Sequence, residues 1–281
     1  MTHYSTLHTH TESGIHTILL NRPEKRNALT PQLIDDLKQA LEAAAASHAC
    51  QIVILTGAGS AFCAGLDLEH LRAMSEASSS DPRFAETCQA EAENIAGLLH
   101  TLYCLRKPTI AAVNGPAIAG GMGIATLCDF TLAVPDAKFG YTEVRIGFIP
   151  AIVSAYLRAQ IGDKCARDLL LTGRLICAEE ARSLGLVTRV VPEPELMHEA
   201  RELARRLLRN SPAAIQATKR LLTRFAERSL ADDLEAAIRA NVQARATEDF
   251  REGVSAFLEK RDPRWLSAEA SSETVTRRLH R

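Results

Sequence analysis

Hydrophobic and polar positions along this chain of 281 residues recur on two periods, and the change from one to the other marks out its elements. Ile15 to Leu20 is a short apolar run that predicts a strand, closed by the turn-like Asn21-Arg22-Pro23. Thr30-Pro31 opens a helix, with Thr as N-cap and Pro at the first helical position, and Leu33, Leu37 and Leu41 share one face. Gln51 to Thr56 predicts a second strand that ends in Gly57-Ala58-Gly59-Ser60. An amphipathic helix follows from about Phe84 to Leu105, its apolar face formed by Cys88, Ala92, Ile95, Leu99 and Leu102, and Lys107-Pro108 stops it. Thr109 to Val113 is a third strand, leading through a glycine-rich turn into a short apolar helix near Met122 to Leu127. Phe130 to Val134 predicts another strand, and Ala178 to Leu184, Gly185 and Leu186 to Val191 give a helix, its C-cap and a strand.

From Glu193 the strands stop and helical patterns follow one another, near Ala213 to Arg228, Leu230 to Thr247 and Phe250 to Lys260. The pattern predicts an α/β fold. It divides into a polar N-terminal tail (1–13), an α/β core (14–192), a helical region suited to docking or oligomerisation (193–266) and a polar C-terminal tail (267–281).

Composition narrows the function classes. A hydrophobic fraction of 46% supports a sizeable core. Thirty-three basic against 34 acidic residues leave a net charge of -1, so no global field recruits nucleic acid or an anionic membrane, and an anion must be caught locally. Met1 to Glu12 has no basic stretch leading into an apolar one, which predicts no secretory signal, and no run of 18 apolar residues predicts a membrane span. Seven scattered cysteines without a C-x-x-C pair suit reduced thiols in a cytoplasmic protein better than disulfides or a zinc site.

Candidate chemistry gathers in two segments, Ser60 to Leu68 (SAFCAGLDL) and Asn114 to Gly123 (NGPAIAGGMG). Each follows a predicted strand and uses small residues where backbone must approach something closely. Unpaired N–H groups at such strand-to-helix turns form anion or oxyanion sites. Gly57-Ala58-Gly59 lacks the third glycine and the acidic residue of a dinucleotide fingerprint. His3, His8, His10 and His16 sit in a polar terminus with no carboxylate constellation, so no metal site is expected, and Cys63 reads as a small buried thiol rather than a nucleophile. An RNA-associated reading would draw on the local basic surface around Arg201, Arg205, Arg206 and Arg209, without support from the charge balance.

Four pieces, in order, carry a family resemblance: Asn21 to Ala28 (NRPEKRNA), Ala61 to Leu68 (AFCAGLDL), Lys107 to Asp129, and Phe139 to Glu143 (FGYTE) with Ile149-Pro150. From about Ile15 to Trp265 the chain resembles the crotonase (enoyl-CoA hydratase/isomerase) superfamily. The resemblance implies a crotonase-like spiral of ββα units with a helical C-terminal subdomain, assembled as homotrimers or homohexamers. It also implies an acyl-CoA thioester substrate from fatty acid or branched-chain metabolism, coenzyme A being part of the substrate rather than a separate cofactor. By the same likeness the backbone N–H groups of Leu66 and Gly120 form the oxyanion hole and Glu143 is the catalytic carboxylate. Lys25, Arg26, Ala28, Ala64, Leu66, Asp67 and Leu68 would border the CoA, and Phe257 and Lys260 would reach the CoA of a neighbouring subunit.

One departure bears on the reaction. Hydratases of this family carry a further glutamate in the helix after the second oxyanion turn, and alignment on Cys128-Asp129 puts Gly123 there. Hydration of a 2-enoyl thioester needs a base for water and an acid for C2, so Glu143 would serve both in turn or another group would orient the water. Moving a double bond from C3 to C2 needs one carboxylate, which makes a Δ3,Δ2-enoyl-CoA isomerase the alternative; a non-catalytic acyl-CoA-binding scaffold, with Gly123 as the trace of lost activity, is the reading from another class. Gly140 to Pro150 (GYTEVRIGFIP) resembles the hydratase branch that includes methylglutaconyl-CoA hydratase-like proteins, and hydratase is the expected activity. Phe139, Ile146, Phe148 and Met122 are candidates for an apolar pocket around Glu143. Asp67 is expected to cap or pair, and Arg145 either selects a substrate carboxylate or pairs on the surface.

Overall fold

A computed structural model describes residues 4–77 and 83–264. The elements run β1 (Leu7–Glu12), β2 (Ile15–Leu20), α1 (Pro31–Ala46), β3 (Ile52–Gly57), α2 (Leu68–Ala77), α3 (Phe84–Cys104), β4 (Thr109–Val113), β5 (Ala117–Ile118), α4 (Gly120–Leu127), β6 (Phe130–Ala133), β7 (Lys138–Gly140), α5 (Ala151–Thr172), β8 (Ile176–Cys177), α6 (Ala178–Ser183), β9 (Arg189–Val190), α7 (Leu196–Leu208), α8 (Pro212–Arg245) and α9 (Glu248–Leu258). Six strands form the main sheet in the order β1-β2-β3-β4-β6-β9, parallel throughout except at the β1-β2 edge, and β5-β7-β8 form a smaller sheet.

The central strands β3 and β4 are buried along their whole length, as expected of parallel strands covered on both faces. Helix α1 forms where its cap signals placed it: the Thr30 hydroxyl accepts from Leu33 N–H, and Leu33, Leu37 and Leu41 are buried with Ile34 and Ala40. The apolar face read for α3 is likewise in the core. Loops leaving the C-terminal ends of β3 and β4 hold both glycine-rich segments, the usual place for a site in a parallel sheet.

Three departures from the sequence reading have local causes. Much of the supposed polar tail is strand β1, paired from Leu7↔Leu20 to Glu12↔Ile15 through a tight turn at Ser13-Gly14, both with positive φ. Apart from Leu7 its residues are exposed, so no alternation advertised it. The two helices expected after Ala213 are one helix, α8, because no glycine or proline interrupts it. Leu186 to Val191 yields a strand of Arg189–Val190 alone. His3, Trp265 and the C-terminal tail lie outside the described residues. Among the described residues no helix is long and apolar enough to cross a membrane.

Candidate active site

Lateral hydrogen bonds bring the two glycine-rich segments and the Glu143 segment together. Pro116 O accepts from Phe62 N and Cys63 N at 3.1 and 3.2 Å, and Ile118 N donates to Cys63 O at 2.9 Å. Strand β5 then pairs in parallel with β7, Ala117 against Phe139 and Ile118 against Gly140, and Ala119 N donates to Gly140 O at 2.7 Å. Leu66, Gly120 and Glu143 each lie just beyond one of these three adjoining backbones. Their proximity is therefore set by strand register rather than by loop flexibility.

Small residues make the junction possible. Gly65 has φ +84°, and a β-carbon there would stand 2.8 Å from Ala119 Cβ and 2.9 Å from Ile118 O. Ala119, the residue before α4, is itself held at φ 52°, a conformation a non-glycine residue adopts at a cost of about 1–3 kcal/mol. This bend turns the chain directly into α4, so Gly120 N–H sits at the helix start where it has no intrahelical acceptor. Among the described residues nothing accepts from Leu66 N–H or Gly120 N–H.

Both backbones line one cavity of about 160 Å³ with Glu143, Ala64, Leu68 and Phe148. Its remaining wall is mostly aliphatic, drawn from α2 (Leu71), α3 (Ile95, Leu99) and α5 (Ile152, Val153). Glu143 opens a short 3₁₀ turn, Glu143–Ile146, that ends at Gly147 in the left-handed region, and Phe148 N closes it onto Glu143 O at 3.0 Å. The carboxyl Oε2 is buried without a hydrogen-bond partner. Burial pushes Glu143 up to about 7, opposed weakly by its own backbone N–H. Of the four residues expected around it, Ile146 and Phe148 line the cavity; Phe139 and Met122 are buried in the main core and do not.

Position 123 is filled by neighbours. A β-carbon on Gly123 would meet Val153 Cγ1 at 2.8 Å and Leu99 Cδ1 at 3.6 Å, and both side chains line the cavity. Apolar packing stands where a further carboxylate would be.

Of the other expected residues, all but Phe257 sit outside the cavity lining. Asp67 is buried, receives Arg22 at 3.3 Å and accepts from Glu69 N and His70 N at the start of α2, so it pairs and caps. Lys25 pairs with Glu69 at 2.9 Å on the surface, and Arg26 is exposed beside it. Ala28 is buried, its carbonyl taken by Arg22 at 2.5 Å. Phe257, expected to reach a neighbouring subunit, lines this chain's own cavity, while Lys260 is exposed with φ 55°. Arg145 is exposed away from the lining, and Cys63 is fully buried with its thiol pushed up to about 12, unfit as a nucleophile. His8 bonds Asn21 and His16 bonds Thr11. The lining residues Thr142, Val153 and Asn241 escaped the sequence reading; Asn241 had only its mid-helix polarity to signal it.

Two free backbone donors and a buried carboxyl on one cavity are the groups that oxyanion stabilisation and proton transfer require. The family model described as enoyl-CoA hydratase/isomerase matches residues 10–268, and the chain belongs to that family. A Thermus thermophilus relative, assigned provisionally by its name to the enoyl-CoA hydratases, is 44% identical over 248 residues, covering 88% of this chain and 96% of its own. The 2,3-dehydroadipyl-CoA hydratase of Escherichia coli is 35% identical over 247 residues, covering 88% and 92%. Among solved structures, an enoyl-CoA hydratase/isomerase from Xanthobacter autotrophicus superposes with a TM-score of 0.83 at 32% identity, covering 94% of this chain and all of that one. The crotonase fold follows from these likenesses.

Proposed function

We propose that the protein is an enoyl-CoA hydratase that adds water across the double bond of a 2-enoyl-CoA thioester. One observation carries the reading: Glu143, whose buried Oε2 has no hydrogen-bond partner and which burial holds near neutrality, lines the same cavity as Leu66 and Gly120, whose N–H groups are free. The thioester oxygen accepts from these two donors. Ionised Glu143 takes a proton from water as the hydroxide oxygen bonds C3, and the double-bond electrons move through C2 onto the thioester oxygen. The enolate then collapses, C2 takes the proton from Glu143, and the carboxylate is restored. Removing one such donor costs about 2.7–4 kcal/mol of barrier in related chemistry. No separate cofactor enters this scheme. Lys25 and Arg26, at the surface near Asp67 and Leu68, are the proposed contacts for the CoA phosphates.

Gly123 favours a second reading, a Δ3,Δ2-enoyl-CoA isomerase in which Glu143 removes a C2 proton and returns it at C4. Assembly as trimers or hexamers in the cytoplasm belongs to the same proposal. Exposed Leu171, Leu221, Leu222 and Phe225 support a partner surface, and seven cysteines outside any disulfide support a reducing compartment.

The ultraviolet absorbance of the conjugated thioester tests the assignment. Loss of conjugation from a 2-enoyl-CoA, abolished by Glu143→Gln, is the expected result. Gain of conjugation from a 3-enoyl-CoA alone would replace the hydratase with the isomerase, and silence with both would sink both.

A further inference from the structure

Apart from Thr142 and Glu143, one polar side chain lines the cavity: Asn241 of α8, which is 4% exposed. Its amide is oriented by its neighbour. Arg245 Nε donates to Asn241 Oδ1 at 3.1 Å, and because a guanidinium can only donate, the oxygen must face Arg245 and the NH₂ must face away from it. Among the described residues nothing accepts from that NH₂. Arg245, 2% exposed, is itself immobilised: Glu91 accepts from it at 2.8 Å, Met74 Sδ lies at 3.4 Å, and its guanidinium stacks over Phe148 at 5.7 Å. Glu91 in turn bonds His70 at 2.7 Å. Five side chains, four of them from three helices, thus hold one amide at a mostly apolar wall.

Resting on the hydratase reading, we propose that Asn241 selects acyl chains that carry an uncharged oxygen, such as an oxo or hydroxyl group, which accepts from its Nδ2. A buried donor left unpaired penalises a plain hydrocarbon chain. The acceptor is neutral because the positive charge of Arg245 is already answered by Glu91, and ionised Glu143 in the same cavity repels a carboxylate. Asn241 is a specificity residue, and Arg245 is a positioning residue that acts through it.

The test compares 2-octenoyl-CoA with its derivatives oxidised to oxo or hydroxyl at each carbon beyond the double bond, and with the chain ending in a carboxylate. Wild type should favour one oxygenated neutral chain by about tenfold or more in kcat/KM. Asn241→Leu, matched in size, should collapse that ratio. Asn241→Asp keeps the acceptor for Arg245 and removes the donor, so it should lose the preference for an oxo chain while retaining the fold by circular dichroism. Dissociation constants of the same esters for the Glu143→Gln variant read the preference without turnover, so a failed hydratase assignment and a failed selectivity assignment give different results. Equal affinity across the series, a preference for the carboxylate chain, or an oxo preference that survives Asn241→Asp would overturn the proposal.

Discussion

Replacing Glu143 by Gln removes a titration whose energetic weight follows from its surroundings. A solvated glutamate, as in the unfolded chain, titrates near 4.5, whereas the folded one titrates at about 7 because its cavity withholds water from the ionised form. At about 1.4 kcal/mol per unit, ionising this group in the fold costs about 3 kcal/mol more than in water. At pH below the unfolded value both states hold the proton, and the residue leaves stability unchanged. As pH rises from there to about 7, the unfolded chain releases its proton and the folded chain keeps it, so stability falls; above about 7 the full penalty persists. Urea unfolding of both proteins, at one protein concentration and from about pH 4.5 to about pH 8, should therefore show the variant gaining on wild type by about 3 kcal/mol across that window. Every other titration is shared and cancels in the difference. A difference constant with pH would refute the claim that Glu143 is desolvated, and with it the account of its basicity.

The same titration predicts that kcat/KM rises with pH on a limb centred near 7, since the ionised form is the base; a limb near 4.5 would contradict it. Val153→Thr places a hydroxyl in the cavity wall and should move that limb towards lower pH, whereas an unmoved limb would locate the desolvation elsewhere. Gly123→Glu should destabilise by about 1–3 kcal/mol because its β-carbon overlaps Val153. Combined with Val153→Ala it should recover stability and raise hydration relative to isomerisation, and an unchanged ratio of products would show that a second carboxylate is immaterial. Gly147→Ala meets both a φ of +66° and Asp249 O at 2.2 Å, so it should lower Tm, cost more than about 1 kcal/mol and reduce turnover by displacing α9 from the Glu143 turn. Full activity and an unshifted Tm would refute that coupling.

The readable parts of this chain are those where local chemistry decides the outcome. Thr30-Pro31 dictates the start of α1, and the wholly apolar β3 and β4 dictate a covered parallel sheet. The small residues around Gly65 and Gly120 were likewise legible, because close backbone approach demands them, whereas Glu143 was singled out by family resemblance alone. What escaped depends on pairing and packing that a segment's own pattern does not carry. Strand β1 exists because β2 offers it a ladder, though its side chains face water. Met122 and Phe139 are apolar and near Glu143 in sequence, yet their elements turn them into the core, while Leu71, Ile95 and Val153 reach the cavity from three separate helices. Asn241 acquires meaning only once Arg245 orients it and the cavity wall contains it, two facts no spacing rule encodes.

Gly123 leaves Glu143 as the lone carboxyl of the cavity, and its surroundings explain how a lone carboxyl can still titrate near neutrality. A pair of neighbouring carboxylates can raise one another's pKa by repulsion. Here the upward shift of Glu143 comes from burial, and no charged neighbour contributes to it. Val153 and Leu99, which occupy the space beside Gly123, belong to the aliphatic wall that keeps water from the cavity. The residue that deletes one carboxylate thus lets apolar side chains close in, and that closure supplies the tuning a charged partner would otherwise provide. A base near 7 spends comparable time in both protonation states at neutral pH, which is the property a lone carboxyl needs if it is to take a proton from water and then deliver it to carbon. The turn that presents it is clamped from outside by α9, through the close passage of Gly147 against Asp249 and of Gly253 against Ile146. The C-terminal helix α9 therefore fixes the turn that presents Glu143.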